Sequence, residues 1–145
     1  MKAWLMILFL GVAYIMEAQD IKNQNCDVLK KVVELDRFKE HFFINKLRDS
    51  SIVFIDTAGY FKDCFFLTSY KKNVSVSRNW PSYIRSPSKG NSPQAKGKFV
   101  LFHVERKKTK YKLYIWEPWA NGSLDVQYKI RRKSVKILKV SWGVY

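Results

Sequence analysis

The sequence predicts an α+β fold, with one N-terminal amphipathic helix packed on a twisted antiparallel sheet that ends in a four-stranded meander. Three observations carry this. In CDVLKKVVELDRFKEHFF, Val28, Val32, Leu35 and Phe42 recur at helical spacing, and Leu29 and Val33 widen the apolar stripe. After Gly97, KFVLFHVER, KYKLYIW, SLDVQYKI and SVKILKVSW read as successive strands with short connectors, which makes neighbours antiparallel. Hydrophobic residues make up 47% of the 145 residues and aromatics 16%, enough for one packed core and too little chain for two comfortable ones.

The elements follow in chain order. Residues 1–18 have the form of a secretory signal peptide. Lys2 supplies the positive start, Ala3 to Met16 is an uncharged, mostly apolar run, and Ala18 precedes the cut. A spanning helix needs about 20 apolar residues, so no stable transmembrane span is expected; an uncleaved anchor is the alternative. Cleavage removes Lys2 and Glu17 and leaves the net charge at +15. Export to a bacterial periplasm or the medium follows, with residues 19–145 as a single domain.

Asn25 or Asp27 caps a helix over about 27–43. SIVFI, CFFL and NVSVSR then give two or three strands. From Trp80 to Lys98, three prolines, two glycines and several serines predict a long exposed loop.

Register in the last four strands follows if apolar residues share a face. A turn at Lys107-Lys108 sets Val104 opposite Tyr111, Phe102 opposite Leu113 and Val100 opposite Ile115. A turn at Pro118 to Asn121 pairs Ile115 with Leu124, Leu113 with Val126 and Tyr111 with Tyr128. A turn at Arg132-Lys133 pairs Ile130 with Val135 and Tyr128 with Ile137. Parity then slips, and a β-bulge near Ile137 to Lys139 returns Val140 and Trp142 to the inner face. The apolar face is covered by the helix.

The opposite face carries the functional expectation. One row reads Glu105, Lys110, Lys129, Lys136 and the next His103, Lys112, Gln127, Leu138. Leu101, Tyr114 and Asp125 follow, then Phe99 beside Trp116, an aromatic end that the N-terminal strands or the proline-rich loop are expected to cover, with Trp119 exposed at the turn. The candidate binding residues are therefore Lys110, Lys112, Tyr114, Trp116, Trp119, Lys129 and Lys136. Basic and aromatic side chains together suit an anionic partner. Export favours an anionic glycan, a lipid head group or a protein over nucleic acid, and no RNP-like or zinc-finger signature is present. The competing reading is a solvated lysine face that keeps strand edges unpaired.

The function expected is non-catalytic binding, with no cofactor. His41 and His103 have no metal-ligand spacing, and neither G-x-S-x-G nor a phosphate-cradling glycine loop occurs. Asp56, Asp63, Glu105, Glu117 and Asp125 read as turn or pairing residues. Cys26 and Cys64 form an even pair, which in an oxidising compartment suggests one disulfide; two buried thiols are the alternative.

The export leader, IDTAGYFKDC, YIWEPW and the closing VSWGVY together resemble small uncharacterised exported proteins of Bacteroidota-type bacteria. That resemblance implies export and carries no site or activity. A helix on a curved antiparallel sheet also resembles, at the level of fold, the NTF2-like cone folds. These hold ligands between helix and sheet, so the alternative function is a small-ligand pocket or enzyme there. The sequence departs from that fold in showing one clear helix.

Overall fold

The computed structural model describes residues 25–47, 51–84, 93–131 and 134–144; the expected signal peptide lies outside them. It shows an α+β fold with helices on one face of a curled seven-stranded sheet.

The helical segment is two helices, not one. Helix α1 covers residues 25–34 and α2 covers Asp36–His41. Leu35 between them is extended, at φ −64° and ψ 132°. The break has a packing reason. At 100° per residue, an unbroken helix would hold Phe38 about 150° from the centre of the Val28, Leu29, Val32, Val33 stripe. Rephasing at Leu35 buries both Phe38 and Phe42 and turns Phe43 outward. Phe43 itself takes the left-handed region, at φ 49° and ψ 41°, and starts a 3-10 turn over Ile44–Lys46.

The strands are β1 (Ser51–Ile55), β2 (Phe65–Leu67), β3 (Asn73–Ser77), β4 (Lys98–Lys107), β5 (Lys110–Glu117), β6 (Gly122–Arg131) and β7 (Ser134–Val144). Their order in the sheet is β2-β3-β1-β4-β5-β6-β7. The expected antiparallel sheet is in fact mixed, because β1 runs parallel to both β3 and β4. β3 starts at Asn73 opposite Ser51 and β4 starts at Lys98 opposite Val53, so both neighbours run in the same direction as β1. The sheet curls about α1. The Lys30 ammonium lies over the Phe66 ring of β2, while Lys30 and Lys31 border a cleft with Val135 and Ile137 of β7.

The space between helices and sheet is filled. Val28, Leu29, Val32, Val33, Phe38 and Phe42 pack on Ile52, Phe54, Phe99, Leu101, Leu113, Ile115, Leu124, Val126 and Tyr128. Phe38, Phe42, Phe54 and Phe99 form a ring cluster with centroids 4.9 to 6.2 Å apart. Such pairs contribute about 0.5–1.5 kcal/mol each beyond area burial.

A Cys26–Cys64 disulfide with Cα atoms 5.4 Å apart ties the first turn of α1 to the loop before β2. In that loop the buried Asp56 carboxylate accepts from the Gly59 and Phe61 amides at 3.0 and 2.7 Å, a turn role. Glu34 accepts from the amide and hydroxyl of Ser69, and Tyr70 donates to the Val33 carbonyl at 3.0 Å. Both contacts dock the β2–β3 turn on the end of α1.

Of the expected exposed loop from Trp80 to Lys98, residues 85–92 lie outside the described residues, and the described flanks include buried positions. Ile84 and Ala95 are buried against Ile55, Val100 and Trp116, a second small core on the outer face of the sheet. The Trp80 indole donates to the Ile84 carbonyl at 2.9 Å.

Candidate functional site

The site is the outer face of β4 to β7, so register decides its make-up. The β5–β6 pairs are those expected, Ile115 with Leu124, Leu113 with Val126 and Tyr111 with Tyr128, and the two tyrosine rings stack at 5.1 Å. In β6–β7, Ile130 faces Val135 and Tyr128 faces Ile137; the register then skips Leu138, so Val140 and Trp142 face Val126 and Leu124.

Between β4 and β5 the register differs from expectation. Lys107 pairs with Lys110 and Val104 with Leu113, so the two-residue turn is Lys108-Thr109, with Lys108 at φ 59°. A second bulge at Phe102 follows, after which Leu101 faces Ile115 and Val100 faces Trp116. This bulge turns Phe99 and Leu101 into the main core and Val100 to the outer side, the reverse of the expected parity. Phe102 is left 55% exposed.

The result is a row of four lysines. Lys107 faces Lys110, Lys110 faces Lys129, and Lys129 faces Lys136. Strands lie about 4.8 Å apart, so the row spans about 14 Å. Glu105, expected in this row, sits in the next one, which reads Glu105, Lys112, Gln127, Lys139. Among the described residues, none of the four row lysines makes an ion pair. Lys136 also borders a cleft of about 560 Å³ with Lys30, Lys31 and Glu34, where Lys30 pairs with Asp27 at 3.3 Å and Lys31 makes no ion pair among the described residues.

Lys112 is held differently. Its Nζ lies 4.2 Å from the Tyr114 ring centroid and 3.6 Å from Asp125 Oδ2. Its pKa is raised, first by the Tyr114 side chain and then by Asp125. Lys112 therefore stays a cation over any ordinary pH but is partly neutralised.

Of the expected binding residues, the structure groups Lys110, Lys112, Tyr114, Lys129 and Lys136 on one face. Trp116 is not available there. It is 5% exposed, covered by Ile84 and Ala95, and its indole donates to Asn121 Oδ1 at 2.9 Å. Trp119 is 44% exposed but lies past the far end of β5, more than 20 Å from the row at about 3.4 Å per residue. Lys107, Lys139 and Phe102 join the face unforeseen: Lys107 because the turn falls one residue later, Lys139 because Leu138 is the residue skipped in β7, and Phe102 because its bulge lies in an apolar run that conceals it.

Among the described residues no group of three or more His, Cys, Asp or Glu is placed to hold a metal, and no helix is long and apolar enough to cross a membrane. The disulfide and the lack of such a helix are compatible with export. Compared with known proteins, the chain matches no family model, no curated protein and no solved structure.

Proposed function

We propose that this is an exported, non-catalytic protein that binds an anionic glycan across the outer face of β4 to β7. The observation that carries the reading is the registered row Lys107, Lys110, Lys129, Lys136. Like charges directly opposite each other cost a sheet up to about 1 kcal/mol per pair. Three consecutive pairs are a cost that an anionic partner would turn into binding energy. A line of charges suits a linear polyanion lying across the strands. Lys112, Lys139 and the half-buried Tyr114 flank that line, and Lys31 adds a cation at the edge.

The test is a titration with heparin fragments, alongside phosphatidylserine vesicles, polyglutamate and single-stranded DNA. Heparin is expected to bind tightest. Lys110→Gln and Lys129→Gln should each weaken it about fivefold, from roughly 1 kcal/mol per lysine near an anionic surface. Vesicles binding more tightly than heparin would replace the glycan by a membrane surface. Row variants binding as the wild type would end the proposal.

A further inference from the structure

At the far end of the sheet from the lysine row is a cleft of about 290 Å³. His41, Phe42, Phe43, Trp119 and Gly122 line it, and Lys46, Lys96 and Glu117 bring charge to it. Three features are unusual for a stretch of surface. Phe43 is a bulky residue at φ 49°, yet its ring is 58% exposed, with the Lys46 ammonium 5.0 Å from its centroid. Such backbone costs about 1–3 kcal/mol and concentrates at ligand sites. The His41 Nε2 is enclosed without a close hydrogen-bond partner among the described residues, while the Ser123 backbone lies near enough to the ring to oppose the lowering of its pKa. Gly122 leaves that nitrogen room, since a Cβ at this position would lie 3.2 Å from it.

The charge in the cleft follows from the partners. The Glu117 carboxylate is buried and is occupied by backbone amides: Ala120 donates to it at 2.6 Å, and Gly97 and Trp119 also donate. It holds the Pro118 to Asn121 turn. Burial keeps His41 below the ordinary imidazole range, so it is neutral at pH 7. Lys46 and Lys96 make no ion pair within 4 Å among the described residues, though Lys96 acts on the Glu117 carboxylate through space. Two cations against one carboxylate leave the cleft with a net charge of +1. Liquid water takes about 30 Å³ per molecule, so the cleft has room for about ten non-hydrogen atoms.

We propose that this cleft binds a small aromatic monocarboxylate, with the ring between Phe43 and Trp119 and the carboxylate toward Lys46 and Lys96. Aromatic walls with a few placed polar groups are the usual make-up of a small-molecule site. The proposal stands independently of the glycan face.

Phenylacetate, with ten non-hydrogen atoms, is the probe. It is titrated into the full chain while the Trp119 indole and His41 imidazole NMR signals are followed. Saturable shifts are expected with a Kd at or below about 1 mM, or roughly −4 kcal/mol. Phenethyl alcohol, which lacks the charge, should bind at least fivefold more weakly. Lys46→Gln with Lys96→Gln, both surface changes that leave the core intact, should weaken phenylacetate at least fivefold. Lys110→Gln with Lys129→Gln should leave it unchanged. The absence of saturation, equal affinity for the alcohol, or equal affinity in the Lys46 and Lys96 double variant would each overturn the proposal. Loss of binding in the Lys110 and Lys129 variant alone would place the anion on the sheet face and overturn it too.

Discussion

His41 shows how one side chain sets a measurable property. Burial lowers its pKa from 6.5, so the folded state resists protonation that the unfolded chain accepts. Stability from this group is complete above pH 6.5 and declines as pH falls from there toward the lowered folded value. Glu117 acts in the opposite sense, because burial raises its carboxyl from 4.5, and stability from it declines as pH rises through that value. The difference between wild type and His41→Gln isolates the imidazole. Urea unfolding should show the wild type losing more stability than the variant between pH 7 and 5; parallel curves would refute the assignment. At this scale the sequence was a partial guide. Cys26 and Cys64 were legible as a pair, and Lys110, Lys129 and Lys136 as neighbours. Cover of the aromatic end around Trp116 by the proline-rich stretch was legible as an expectation; that Ile84 and Ala95 supply it was not, because that stretch has no periodic pattern.

At the scale of elements, irregularities account for most differences between expectation and structure. The bulge at Leu138 was legible because Leu138, Val140 and Trp142 break parity openly. The one at Phe102 was hidden in an apolar run, Phe99 to Phe102, where either parity looks buried. The break at Leu35 was hidden for a related reason: no Gly or Pro marks it, and only Phe38, off the stripe, betrays it. Parallel pairing of β1 was not legible, since it depends on where a long connection returns. The lysine row makes an element-level prediction. Lys129 has a lysine on each side, so Lys129→Gln should stabilise the protein by about 0.5–1 kcal/mol at low salt. The gain should shrink as salt screens the exposed charges. No gain in denaturant unfolding at low salt would mean that the ammonium groups diverge and the row carries no strain.

For the whole molecule, two features set behaviour: the disulfide and the net charge of +15. The bridge spans a sequence separation of 38, for which the chain-entropy model gives about 4 kcal/mol. Cys26→Ala with Cys64→Ala should therefore cost about 2–5 kcal/mol in unfolding free energy; a cost below about 1 kcal/mol would show that α1 is held by its apolar face alone. The charge is spread over the chain, and the central claim is that its placement in one row matters, beyond its total. The most direct test is the slope of log heparin affinity against log salt for two double variants of equal net charge. Lys110→Gln with Lys129→Gln should reduce the slope by about two, one for each lysine that displaces a counterion. Lys62→Gln with Lys71→Gln, outside the face, should leave the slope unchanged. Equal slopes in the two variants would contradict the account, because net charge alone would then explain the binding.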